Sequence, residues 1–315
     1  MRRVILFVNP LLAARGKRRL ALERCVAMLR SASCSVDVAD TLPCDRAAQQ
    51  ARAAIEAGFD TIFVCGGDGT FFHVLQGVAG SQAALGVIPL GTGNVLAQNL
   101  KLPRDPLAAL RAQCDAEAIS IPLGEVVCSG AGGREQSWYF TIAAGVGFHA
   151  ALMGLASNGN GKRLWGRAAY FAGGIRLLVA RPVQPVEVEM HGPRGDSHKF
   201  RAAELLAVRV PMINRWRAGG DLSSPHLRVA SVPESGRIGL AHACFRALFL
   251  PEKNPASTSP HRLPHPRYDE AVQVSCHDGK NPLPIQADGE LLGSGSAMFR
   301  MSQKRVRLLW PNLKR

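Results

Sequence analysis

The chain has 315 residues, 20% of them charged, with a formal net charge of +14 and an isoelectric point near 10.0. That length gives room for two domains with buried cores. With only 6% aromatic residues, dispersed basic charge and no nucleic-acid module signature, nucleic acid is not the expected partner. An anionic membrane surface is the preferred reading of the charge, against plain solubility.

Taken in order, the start (Met1-Arg2-Arg3-Val4) superficially resembles a signal peptide. Its apolar run is short, however, and Asn9-Pro10 ends it, so Val4 to Val8 reads as a buried first strand. A basic segment, Arg15-Gly16-Lys17-Arg18-Arg19, leads into a helix over about Leu20 to Arg30, with Leu20, Val26 and Leu29 as core candidates. Ser35 to Thr41 predicts a second strand, and Asp45 a cap for a helix running to Ala57 and stopped by Gly58. A β-branched run from Thr61 then stops at Gly66-Gly67-Asp68-Gly69-Thr70, and helical spacing follows (Phe71, Val74, Leu75, Val78). Ala84 to Pro89 repeats the pattern, ending in a second glycine turn, Gly91-Thr92-Gly93-Asn94, and a short helix from Val95. Strands alternating with helices imply a parallel sheet covered on both faces, with ligands outside the C-terminal strand ends. Three loops gather there: Asn9 onward, Gly66 to Thr70, and Gly91 to Asn94.

From about Ile119 the rhythm changes to short strands: Val126 to Cys128, Trp138 to Ile142, Val183 to Met190, Ala203 to Val210, Leu227 to Val232, Ile238 to Phe249 and Ala271 to Cys276. A helix is expected from Lys162 to Val179, and an exposed loop from Pro251 to Pro266. No run of about 18 uncharged apolar residues predicts a spanning helix; Ala168 to Ala180 comes nearest and is broken by Arg176. The reading is an α/β nucleotide-binding domain over 1–122, an all-β domain over 123–297, and a late strand in 298–315 returning to the first. Eight cysteines without C-x-x-C spacing argue against structural zinc or a disulfide scaffold, and a reducing cytoplasm is the expected setting.

A strand, a glycine turn and a helix N-terminus make a phosphate cradle. Its bland alternative is a tight turn with no ligand, which the second glycine turn makes less attractive. Asp68 would repel phosphate unless a cation stood between them, which points to a nucleotide plus a metal. Neither turn ends in the Gly-Lys-Ser/Thr of a Walker loop, and no strand ends in a dinucleotide fingerprint. Far along the chain, Ile285-Gln286-Ala287-Asp288-Gly289-Glu290 is either an ordinary β-turn or a place where Glu290 takes a proton from an attacking hydroxyl, with Asp288 nearby. His73 and His149 read as helix-surface residues, and Arg15, Lys17, Arg18 and Arg19 as a solvated helix start or as positive charge near phosphates.

In this order, the set resembles the diacylglycerol kinase catalytic-domain family, which includes sphingosine, ceramide and bacterial lipid kinases. The resemblance rests on Val8-Asn9-Pro10, the two glycine turns, Gly161 to Tyr170 and Asp288-Gly289-Glu290. It implies an N-terminal α/β nucleotide-binding domain and a C-terminal β-sandwich. ATP and Mg²⁺ would be the cofactors, and the γ-phosphate would pass to a diacylglycerol-like or sphingosine-like hydroxyl. Asn9, Thr41, Gly66, Gly67, Asp68, Gly69, Thr70, Gly91, Thr92, Gly93 and Asn94 would serve the nucleotide, with Glu290 as general base and Asp68 acting through Mg²⁺. The resemblance implies a role in phospholipid biosynthesis at the inner membrane face and leaves room for a homodimer. The chain departs from the pattern at Phe72-His73, at Pro122, where an acid is usual, and at Ser235, the acid of a family metal site whose other positions align with Val232 and Arg237. Two alternatives stand beside this reading: a nucleotide- or lipid-binding protein that has lost catalysis, and a relative of NAD kinases.

Overall fold

The computed structural model describes residues 3–13, 16–32, 35–129, 134–151, 184–214, 216–234, 236–242, 267–277 and 282–311. The expected helix at 162–179, the loop at 251–266, the motif stretch 161–170, Arg15 and Ser235 lie outside them. The chain divides into two units, one of Met1–Leu123 with Ser302–Arg315, the other of Gly124–Met301.

In the first unit, β1 (Arg3–Val8), β2 (Ser35–Asp40), β3 (Thr61–Gly66), β4 (Ala84–Pro89) and the end of β17 (Ala297–Leu309) form a parallel sheet in the order β17-β4-β3-β1-β2. Every residue of β3 and β4 is buried, as expected of central strands covered on both faces. The edge strand β2 buries little besides Val36. Alternation along β1 sends Val4, Leu6 and Val8 into one core with Cys25 and Leu29 of α2 (Gly16–Ser31). A row of alanines, Ala47, Ala48, Ala51 and Ala54, forms the buried face of α3 (Asp45–Glu56), which packs on α4 (Asp68–Val78). After the short α5 (Val95–Asn99) comes α6 (Pro106–Cys114), which begins with a proline and is capped by Asp105 accepting from Ala108 N. Its buried Gln113 bonds both the N–H and the C=O of Val87, each at 2.8 Å. Strand β17 pairs with β4 only at Ala84 and Leu85, so this side chain supplies the backbone partners farther along.

The second unit is rich in antiparallel sheet. Its main path runs β16 (Glu290–Ser294), β15 (Pro284–Ala287), β7 (Ala143–Gly147), β9 (Ser197–Val208), β8 (Val186–His191), β14 (Gln273–His277) and the start of β17. β12 (Leu227–Pro233) lies against β9 and β13 (Arg267–Ala271), β5 (Ala118–Ser129) pairs with β6 (Glu135–Phe140), and the short β10 (Met212–Ile213) pairs with β11 (Trp216–Arg217). A fully buried arginine, Arg209, donates to the carbonyls of Leu222, Ser224 and His226 and so clasps the loop before β12.

Several sequence expectations need correction. Proline does not merely end the first strand, because Pro10 opens a four-residue helix, α1 (Pro10–Ala13). Helix α2 begins four residues before Leu20, and Leu20 faces solvent at 49% exposure. The cap position before α3 belongs to Cys44, in the left-handed region at φ 46°, with Asp45 inside the first turn. Residues 237–242 are helical rather than strand, and Val272 splits the expected 271–276 strand into β13 and β14. Thr141 and Ile142 leave β6 as a bend, since their amides serve a side chain instead of a strand.

Candidate functional site

The first cluster of predicted residues stands at the C-terminal ends of β1, β2, β3 and β4, within the first unit. Asn9 follows β1; its backbone N–H donates to Cys65 O at 3.0 Å and its side-chain amide to Thr70 Oγ1 at 2.9 Å. Thr41 follows β2, its N–H held by Val8 O at 2.8 Å, and its hydroxyl is buried with no partner. Of the Gly66 to Thr70 stretch only Gly67 lies between strand and helix. Gly66 closes β3, while Asp68, Gly69 and Thr70 are the first turn of α4, where amides lack intrahelical partners.

The two glycine turns are one object. Gly66 O accepts from Leu90 N at 2.9 Å and Gly91 N at 3.2 Å. A Cβ on Gly91 would stand 2.7 Å from Gly67 Cα, so only glycine permits this approach. Asn94, left-handed at φ 49°, folds its side chain back onto Gly91, accepting from its N–H at 3.0 Å and donating to its carbonyl at 2.9 Å. Asp68 completes the lock. Its Oδ2 accepts from Val95 N at 2.9 Å and its Oδ1 from Leu96 N at 3.1 Å, which caps α5 from the neighbouring turn. Burial pushes its carboxyl pKa up, while the amides of Val95, Leu96 and Asn94 and its own amide pull the other way. Sequence reasoning gave Asp68 to a metal; its geometry gives it first to the second turn. Thr92 is exposed at the rim, and Gly93 lies beside the Asp68 carboxylate.

The second cluster lies within the second unit. Asp288 and Gly289, at φ 48° and 89°, form the two-residue turn between β15 and β16, and Ala287 pairs with Glu290 across it. Positive φ at both centres is the type I′ signature, for which Asp-Gly is a favoured pair. The Asp288 side chain is 8% exposed and accepts four hydrogen bonds, from Thr141 N, Thr141 Oγ1, Ile142 N and Ala143 N, at 2.8 to 3.1 Å. Burial pushes its carboxyl up to about 6, against the pull of those donors. Glu290, half-buried, opens β16. Thr141, which sits in no motif, was invisible as a site residue in the sequence, and Gln286, whose Oε1 accepts from Gly289 N at 3.0 Å, stood in the Ile285 to Glu290 stretch without a role.

One further acid was missed. Glu204, buried in β9, accepts from His149 N at 2.7 Å through Oε2 and has no partner at Oε1. Burial raises its pKa to about 8. A single acid in the apolar run Ala202 to Val208 was the available signal. His149 is half-buried rather than a surface residue, and desolvation pulls its imidazole down to about 4.

The residues fit a nucleotide better than a protein-held metal. The orphaned Thr41 hydroxyl and the first turn of α4 suit a phosphorylated ligand. The positions aligned with the family metal site offer Val232, a buried strand residue, and Arg237, an exposed cation, and no carboxylate. Among the described residues, no three His, Cys, Asp or Glu side chains are grouped to hold a metal.

Comparison with known proteins converges on one family. The family model for the diacylglycerol kinase catalytic domain matches residues 3–126. A probable YegS-like lipid kinase of Pseudomonas putida is 30% identical over 229 residues, 70% of this chain and 70% of that protein. A Staphylococcus carnosus diacylglycerol kinase is 23% identical over 83% of this chain and 80% of its own. In fold, the chain resembles a putative diacylglycerol kinase structure from Bacillus anthracis, with a TM-score of 0.70, 17% identity, and 98% and 96% of the two chains covered. An ATP-bound NAD kinase from Archaeoglobus fulgidus is more distant at a TM-score of 0.51 and 13% identity, covering 99% and 94%.

Proposed function

The chain belongs to the diacylglycerol kinase catalytic-domain family, and from that membership we propose that it transfers the γ-phosphate of Mg·ATP to a lipid hydroxyl. The observation that best supports the nucleotide half is the interlocked pair of glycine turns, with the unpartnered Thr41 hydroxyl following β2 at the same end of the parallel sheet. Phosphoryl transfer needs positioning and charge neutralisation more than covalent chemistry from the protein. The first-turn amides of α4, the Gly91 to Asn94 turn, Asn9 and Thr41 hold the nucleotide. Asp68 holds the second turn in place for the phosphates, and the Mg²⁺ that accompanies ATP would supply charge neutralisation beside its carboxylate. Glu290 takes the proton as the acceptor oxygen bonds to phosphorus and ADP departs, so the carboxylate ends the step protonated.

No helix among the described residues is long and apolar enough to cross a membrane. The surplus of basic residues supports a peripheral encounter with anionic lipid, where the substrate's acyl chains stay in the bilayer. The test is a panel of acceptors: diacylglycerol, sphingoid bases and phosphatidylglycerol in anionic vesicles, and NAD in solution, each with γ-labelled ATP and Mg²⁺. Label in a lipid phosphomonoester is the expected result. Label in NAD alone would move the chain to the NAD-kinase reading. A second reading, ATP binding without turnover, has one observation in its favour, the absence of the family's acids at Pro122 and Ser235; bound ATP with no labelled acceptor would select it.

A further inference from the structure

We propose that Asp288 is the positioning residue for Glu290, fastening the β15–β16 turn to the Thr141–Ala143 corner so that the base is presented in one orientation. The proposal rests on the reading of Glu290 as the general base, and the turn itself carries the argument. A type I′ pair needs only residues that tolerate positive φ, and Asn-Gly or Gly-Gly would serve. Asp288 does more than tolerate it: its carboxylate collects three consecutive backbone amides and one hydroxyl from a corner 145 to 147 residues away in sequence. Its own N–H returns a bond to Ala143 O at 2.8 Å, and Gly289 N is held by the buried Gln286. The turn is therefore bonded on both sides of the carboxylate, and Glu290 carries the next side chain along.

All four groups facing Asp288 are donors, so the site is built for an acceptor-only carboxylate. Asparagine in its place would turn an NH₂ toward N–H donors and lose part of the set. Thr141 adds the one side-chain donor, and valine there would keep its shape without the hydroxyl. The corner lies between β6 and β7, and β7 is the strand that β15 pairs with through Ala287 and Ala144. The anchor and the ladder thus constrain the same hairpin from two directions, and a tilt of that hairpin moves Glu290 directly.

The experiment is a double-mutant cycle on the full chain, with γ-labelled ATP, Mg²⁺ and the lipid acceptor in anionic vesicles. Asp288→Asn is expected to lower kcat by about 10- to 100-fold, the scale of a small misplacement of a catalytic group. KM for ATP should stay within about twofold, because binding common to ground and transition states is untouched. In a Glu290→Gln background the same change should do nothing further to the residual rate, since the group it positions has gone. Thr141→Val should follow the same pattern more weakly, and Thr141→Ser should restore the wild-type rate. Equal losses in both backgrounds would make Asp288 a stability residue and overturn the proposal. If Glu290→Gln keeps the wild-type kcat, the base assignment itself fails and the positioning role falls with it, an outcome distinct from the first. Should Asp288→Asn fail to fold, Thr141→Val carries the same cycle.

Discussion

Glu204 is a buried acid and Asp68 a half-buried one, and their neighbours give them opposite characters. Asp68 faces two amide donors and works as a cap, whereas Glu204 has one oxygen bonded and one without a partner. For Glu204 the linkage sign is fixed by its pKa, raised from 4.5 to about 8. Between those values the folded form keeps a proton that the unfolded chain has released, so stability falls as pH rises through that window. Glu204→Gln removes this dependence, and its melting temperature should gain on wild type between pH 5 and pH 8. Each pH unit corresponds to roughly 1.4 kcal/mol at most. Thermal unfolding at three pH values checks this, and a difference that stays constant would show that Glu204 is ionised throughout.

At the scale of elements, the glycine turns show what the sequence could and could not reveal. Strand β3, the glycine stop and the helix after it were legible because an apolar run, a φ-permissive stop and a 3.6-residue rhythm follow one another. That the two turns are welded through Gly91 and Asp68 was not legible, because those contacts join residues more than 20 positions apart. The same holds for Thr141 and Ile142, which read as strand and are bent by a carboxylate far along the chain. Local pattern could not place the helix at 237–242 either: its apolar residues suited a strand as well as a turn of helix. Gly91→Ala tests the weld, since its Cβ would meet Gly67 Cα at 2.7 Å. The turns must separate, with a loss of about 1–3 kcal/mol in stability. The KM for ATP should rise at least about tenfold, as 1.4 kcal/mol of lost binding implies. An unchanged KM would remove the turns from the nucleotide site.

For the whole molecule, the surplus of basic residues gives a second, independent expectation. Binding to vesicles of anionic lipid should weaken steeply as salt rises from about 0.1 to about 1 M, where the screening length drops from about 10 to about 3 Å. Neutral vesicles should bind weakly at both; salt-independent binding would point to apolar insertion instead. Lipid phosphorylation with Glu290 as base comes down to one comparison. Wild type and Glu290→Gln are given γ-labelled ATP, Mg²⁺ and diacylglycerol in anionic vesicles, and label in the lipid phosphomonoester is counted. Wild type should transfer label and the variant should lose about 10²- to 10⁴-fold of the rate, with ATP affinity unchanged. Equal transfer by the two proteins would contradict that role of Glu290.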